Sequence, residues 1–214
     1  NSTPNGRKKS ICKHNKYTMQ PTKEGKISVS VMCSDLMNLE RDIKQLERNG
    51  VDYLHVDVMD AHFVPNLTFG VDFIAAMHRV TKLPLDIHLM VEHPLPIMEA
   101  MDIRPGDRIS LHVELGEQLH ELAKAIRARG AHFGLVVNPS TPVEALTPYL
   151  DEIEWVILML VQPGFAGAKL IDGILDKGAA ARRFLDEPGH PETDISVDGS
   201  VSCERARLMR DMGA

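Results

Sequence analysis

His55-Val56-Asp57-Val58-Met59-Asp60 is an alternating stretch in which an imidazole, a carboxylate and a thioether recur at every second position. In a strand, successive side chains point to opposite faces. His55, Asp57 and Met59 therefore share one face, and Val56 and Val58 take the other. Leu85-Asp86-Ile87-His88-Leu89-Met90 repeats the arrangement, with His88 and Met90 on one face. Ile195-Ser196-Val197-Asp198-Gly199 places an aspartate at the end of a third such run. Three distant strands thus each offer groups that ligate metals or move protons, all near their C-terminal ends. That distribution belongs to an enzyme site more readily than to a core.

Working outward, strand-like runs at 27–31, 53–58, 85–90, 108–113, 132–138, 155–161 and 194–198 alternate with amphipathic stretches at 36–49, 71–80, 94–101, 118–129, 143–150, 170–185 and 204–212. In the first of these, Leu36, Leu39, Ile43 and Leu46 fall at helical spacing, with Asp35 placed to cap the start and Gly50 just past the end. Strand–helix alternation implies parallel strands joined by crossover helices. Seven such units fit an open doubly wound sheet or a (β/α)8 barrel, which typically takes ~250 residues. No G-x-G-x-x-G follows the first strand, so a dinucleotide-binding sheet has no support. An open sheet would hold the ends of strands two, three and seven far apart, whereas a barrel gathers them round one mouth. The expected fold class is therefore α/β, a (β/α)8 TIM barrel, one strand and one helix short of closure at Ala214.

Residues 26–214 are expected to form this single domain, and 1–25 a flexible, basic extension. Residues 1–24 hold six basic side chains (Arg7, Lys8, Lys9, Lys13, Lys16 and Lys23) against Glu24 alone. The whole chain nonetheless carries a net charge of −6, which speaks against a nucleic-acid partner. The longest uninterrupted apolar run, 155–161, is far below the ~20 residues of a membrane span. Cys12, Cys33 and Cys203 have no C-x-x-C spacing, so no disulfide framework or zinc finger is expected and a reducing, cytoplasmic setting is.

His55, Asp57, His88 and Asp198 make a donor set of two nitrogens and two oxygens. It suits one divalent ion of the Zn, Fe(II), Co or Mn type better than Mg or Ca. Two carboxylates on opposite faces of a bound sugar can take a proton from one face and return one to the other, while a cation acts as a Lewis acid toward the developing enediolate oxygens. Met59, Met90 and Met159 are expected beside that planar intermediate, where polarizable thioethers exclude water. Pro163-Gly164-Phe165-Ala166-Gly167 follows the sixth strand, and Gly199-Ser200 the seventh. Small residues let backbone N–H groups approach an anion, and barrel loops in this region commonly hold phosphate. His112 and Glu114 are expected to act behind the ligands. Asp60 and His62 read as loop residues, and His78, His93, His120 and His190 as surface residues. No strand end carries the lysine that a Schiff-base lyase would want.

The chain resembles the ribulose-phosphate 3-epimerase family, which includes D-allulose-6-phosphate 3-epimerase. The resemblance rests on Ser30 to Asp35, His55 to Asn66, His88 to Val91, Gly134 to Pro142, Pro163 to Gly167 and Val197 to Ser200, in family order. It implies a (β/α)8 barrel, a divalent metal held by His55, Asp57, His88 and Asp198, and an Asp57/Asp198 acid–base pair inverting C3 of a phosphorylated ketose. It further implies that Ser30, Met59, Met90 and Met159 touch substrate, that Gly164, Ala166, Gly167, Gly199 and Ser200 surround the phosphate, and that the protein forms a homo-oligomer. The family usually has Pro at the position of Val29, an acid or Asn at Gln162 and Gln at Ala168.

Overall fold

The computed structural model describes residues 25–187 and 189–214. Of the expected basic extension, residues 1–24, Cys12 included, lie outside the described residues. Leu, Ile and Val at alternate positions of the strands form one buried face. Leu54, Val56 and Val58, then Leu85, Ile87 and Leu89, then Ile109 and Leu111 all join a single cluster with apolar residues of the helices. The intervening positions face the other way, and most of them are polar.

The elements run β1 (Ser28–Ser30), α1 (Leu39–Arg48), β2 (Tyr53–Met59), α2 (Val71–Val80), β3 (Leu85–Met90), α3 (Pro94–Ala100), β4 (Arg108–His112), α4 (Leu119–Arg127), β5 (His132–Val137), β6 (Trp155–Met159), α5 (Leu175–Asp186), β7 (Asp194–Asp198) and α6 (Cys203–Asp211). All strand pairs are parallel, and the strand order in the sheet is the chain order, β1 to β7. Laid flat at ~4.8 Å per strand, β2 and β7 would stand about 24 Å apart. Yet His55 Nε2 on β2 lies 4.0 Å from Asp198 Oδ2 on β7. The sheet therefore curls into a barrel wall of seven strands, with β1 and β7 at its two edges.

The expected helix at 143–150 is instead a 3-10 helix, Val143–Tyr149, with Pro148 inside it. Proline lacks the N–H that an α-helical bond requires, and short 3-10 pieces tolerate that loss. The fifth helix begins at Leu175 rather than at 170, because Gly173 adopts φ +76°, outside the right-handed helical region. The first strand ends at Ser30, and Val31–Cys33 turns away as a 3-10 helix. Asp35 caps as expected, its side chain accepting from the Met37 N–H. His78 is buried rather than on the surface. The last turn of α2 presses it between Asp107 Oδ2 at 3.1 Å and Asp102 Oδ2 at 3.3 Å, in the connection between β3 and β4. Spacing along α2 alone does not reveal that contact, which belongs to another segment.

The inner face is layered. At its lower level the Arg108 guanidinium lies over the Trp155 ring at 4.0 Å and the Tyr53 ring at 4.8 Å. Trp155 needs Gly134 beside it on β5, since a Cβ at that position would fall 2.3 Å from the indole Cε2. Gly134→Ala is expected to lower stability in urea unfolding by about 1–3 kcal/mol through overpacking. Trp155→Leu in the same chain should return most of that loss, a coupling measurable in a double-mutant cycle. A Gly134→Ala protein as stable as its parent would contradict this packing.

Candidate functional site

Strand alternation and sheet curl together set four ligand-type side chains at one point. One atom from each of His55, Asp57, His88 and Asp198 lies within 4.8 Å of all the others. His55 Nε2 is 3.2 Å from Asp57 Oδ1 and 4.0 Å from Asp198 Oδ2. His88 Nδ1 is 3.3 Å from Asp57 Oδ1 and 3.9 Å from Asp198 Oδ2. A tetrahedral shell with ligand distances of ~2.0–2.1 Å has edges of about 3.3 Å. The two edges at Asp57 match that value, and those at Asp198 are slightly wider. His88 Nδ1 is buried without a hydrogen-bond partner, and Asp57 is only 4% exposed. A buried imidazole nitrogen facing two carboxylates, with a second imidazole beside it, offers two nitrogens and two oxygens to one point, and that donor set fits a divalent metal.

The electrostatics of the buried pair agree. Burial opposes charge on His55, but the carboxylates of Asp57 and Asp86 outweigh it and hold the imidazole well above its usual pKa. Burial likewise works against an ionised Asp57, yet His55 and His88 keep it well below the ordinary carboxylate range. The site is thus built for positive charge among ionised carboxylates.

Around the four lie groups that hold them in place. Asp86, on the same face of β3 as His88, accepts from His55 Nδ1 at 3.0 Å and from Ser28 Oγ at 2.8 Å. This buried carboxylate fixes the ring so that Nε2 points into the cluster. The period-two pattern that singles out His88 also contains Asp86, so the signal for it was present in the sequence. Ser30 donates to Asp57 Oδ2 at 2.9 Å, which makes it a clamp on that carboxylate as well as a neighbour of the mouth. Thr68 donates to the Asp57 carbonyl at 2.5 Å. His112 reaches His88, Nε2 to Nε2, at 2.9 Å, and burial lowers its pKa to about 4. Asp60 structures its own loop by accepting from the N–H groups of His62, Phe63 and Glu92.

Met59 and Met90 sit just above the cluster and pack with Val64. Met159 packs with Trp155 and Ile157 inside the barrel wall. All three are nearly fully buried. A cavity of about 570 Å³ opens at the mouth, walled by Phe63, Val64, Glu114, Asn138, Gln162 and Phe165 among others. Beside it runs the loop from Pro163 to Gly167. Gly164 there has φ +118°, Gly167 has φ +74°, and the Gly164 carbonyl accepts from Asn66 Nδ2 at 2.6 Å. Ala166 is exposed between them. Gly199, with φ +95°, packs so closely on Val161 that a Cβ would fall 2.4 Å from its Cγ2. Gly199 therefore packs on the chain two residues before the Pro163 loop begins. Ser200 is held by Arg205, whose guanidinium donates to its hydroxyl at 2.7 Å and also to its carbonyl. Arg205 was not anticipated from the sequence, because a lone arginine in a helix carries no motif.

Comparison with known proteins agrees with this geometry. The sequence profile described as the Ribulose-phosphate 3 epimerase family matches residues 26–214. The ribulose-phosphate 3-epimerase of Bacillus subtilis is 40% identical over 189 residues, covering 88% of this chain and 87% of that protein. The one from Treponema pallidum is 38% identical, covering 88% and 86%. The cytoplasmic isoform from Oryza sativa is 35% identical, covering 88% and 82%. Among solved structures, a mutant tryptophan synthase alpha-subunit from Pyrococcus furiosus aligns with TM-score 0.61 at 12% identity, over 87% of this chain and 82% of that one. A 3-dehydroquinate dehydratase from Geobacillus kaustophilus aligns with TM-score 0.58 at 11% identity, over 89% and 80%. At such low identity these two speak for the fold alone. Matched from residue 26 to its last residue, and 40% identical to a curated relative, the chain belongs to the ribulose-phosphate 3-epimerase family.

Proposed function

We propose that this chain inverts C3 of a ketose phosphate, ribulose 5-phosphate or the six-carbon D-allulose 6-phosphate, by passing protons through Asp57 and Asp198. The observation that carries the reading is the convergence of two carboxylates, from β2 and β7, on one pair of imidazoles. A divalent ion of the Zn, Fe(II), Co or Mn type, held by His55, Asp57, His88 and Asp198, would supply Lewis-acid stabilisation of negative charge on the sugar oxygens.

The chain's own residues do the rest. Asp57, kept ionised by His55 and His88 and clamped by Ser30, is ready to accept a proton from one face of the sugar. Asp198, with its side chain 28% exposed, returns a proton to the other face. Met59, Met90 and Met159 keep the floor of the mouth apolar, and this shields the intermediate from water. Backbone N–H groups of Gly164, Ala166, Gly167, Gly199 and Ser200 receive the phosphate at the far end of the substrate. Lys177, half-buried on α5, gives its ammonium to the carbonyls of Asn138 and Thr141 and is not free to act as an amine nucleophile. The relatives' names support the substrate class, and the exposed, unbridged Cys33 and Cys203 fit a reducing, cytoplasmic setting. Self-association into a homo-oligomer completes the proposal.

In heavy water, the metal-loaded protein should place one deuterium on C3 of recovered ketose phosphate. The absence of exchange from both substrates would sink the proposal. Asp57→Asn and Asp198→Asn should each cost ~10²–10⁴ in turnover while the protein stays folded. Asp86→Asn, which removes the charge behind His55, should weaken metal binding by about 10–100-fold in a chelator competition. Unchanged affinity there would show that Asp86 does not orient the ring.

A further inference from the structure

We infer that Asn66 is a positioning residue for the phosphate end of the mouth: its side-chain amide ties the loop after β2 to the Pro163–Gly167 loop after β6. The inference deepens the ketose-phosphate reading above and rests on it. Asn66 Nδ2 donates to the Gly164 carbonyl at 2.6 Å, between residues 98 apart in the chain. Asn66 Oδ1 accepts from the Leu67 N–H at 2.9 Å. One end of the amide meets an acceptor and the other a donor, so the side chain has a single orientation.

The loop that carries Asn66 is firmly framed. The Asp60 carboxylate accepts from the N–H groups of His62 and Phe63, and from Glu92 beyond β3, each at 2.8 Å. The Asn66 carbonyl accepts from the Ala61 N–H at 2.9 Å, and the Asn66 N–H donates to the Val64 carbonyl at 2.8 Å. Asp60 and Leu67 pair as an antiparallel bridge. The turn holds Ala61 at φ +63°, a conformation that residues with a Cβ seldom adopt. Thr68 then closes the loop onto the Asp57 carbonyl. A frame with so many internal bonds presents the Asn66 amide at a fixed place.

The loop on the other side has no such frame. Among the described residues, the bond from Asn66 is the one well-formed hydrogen bond to the backbone of Pro163–Gly167. The N–H groups of Gly164, Ala166 and Gly167 have no partner among them, which leaves these donors open to an anion. Gly164 sits at φ +118°, where a Cβ would fall 3.3 Å from the Val64 Cβ, so the two loops touch at the latch. Val64 and Pro65 wall one side of the cavity at the mouth, and Gln162, Pro163 and Phe165 another. The Asn66 bond therefore joins two walls of the space that would hold the substrate, and it holds the open N–H groups in one arrangement before the phosphate arrives.

Two measurements on the full chain test this. Asn66→Asp keeps the acceptor for the Leu67 N–H and loses the donor to Gly164, whereas Asn66→Ala loses both and adds no charge. Nitrogen-15 relaxation of the substrate-free protein should show amide order parameters at 164–167 falling in both variants from the rigid range near ~0.85 toward ~0.6, with β2 and β3 unchanged. In the metal-loaded protein, Asn66→Ala should raise KM for ribulose 5-phosphate or D-allulose 6-phosphate by about three- to tenfold, the worth of one hydrogen bond, and lower kcat far less. The inhibition constant of inorganic phosphate should rise with KM. Parental order parameters in both variants, or a loss in kcat with KM and phosphate inhibition unchanged, would overturn the inference. Because Asn66→Asp preserves the frame from Asp60 to Leu67, the relaxation test holds even if Asn66→Ala folds poorly. A parent that turns over neither ketose phosphate would overturn the ketose-phosphate reading instead, and the order parameters, which need no substrate, would still decide whether Asn66 holds the loop.

Discussion

Three aspartates and two histidines crowd together at the mouth of this barrel, and all but Asp198 are buried. Like charges so placed repel, and the buried ones among them have lost most of their hydration. The arrangement is stable only because every carboxylate meets a positive or donating partner. Asp86 has His55 and Ser28, Asp57 has His55, His88 and Ser30, and Asp198 closes the ring from β7. Much of the rest of the inner face can be understood as support for this balance. The same donor set is what suits the cluster to a divalent cation, and in the proposed function the same carboxylates carry the protons.

The fold supplies the balance through regular geometry. Each histidine of the cluster takes its orienting partner from the next strand along: His55 on β2 from Asp86 on β3, and His88 on β3 from His112 on β4. Parallel register places His55 directly beside Asp86, so the first of these pairings follows from the ladder itself. Below them the stack of Tyr53, Arg108 and Trp155 fills the barrel, with Gly134 leaving room for the indole. Above them the methionines and the small-residue loops shape the mouth. Polar centre, packed floor and apolar rim are three layers of one strand face.

Much of this was legible in the sequence because a strand face repeats every two residues and needs no partner to be recognised. His55, Asp57, His88 and Asp198 announce themselves by spacing, and the loops at Pro163–Gly167 and Gly199–Ser200 by their small residues. The outer partners were harder to see. Asp86 sat in plain view on the pattern of β3 but looked like an ordinary strand residue until Ser28 and His55 were beside it. His78 looked like a surface residue because its partners, Asp102 and Asp107, come from a different segment. Arg205 gives no local sign of holding Ser200. The ends of elements shifted for local reasons, such as Gly173 before α5 and Pro148 within the 3-10 helix.

The sequence by itself determined which residues face which way, that strands and helices alternate, and which side chains have the chemistry to bind a cation and carry protons. Only the tertiary structure decided that the buried Asp86 carboxylate stands behind His55, that His88 and His112 meet Nε2 to Nε2, and how closely Asp198 on β7 approaches His55 on β2. The physical reason is range. Alternation and capping act between neighbours a few residues apart, whereas a hydrogen bond between β2 and β3 exists only once the strands have paired, and a contact between β2 and β7 only once the sheet has curled.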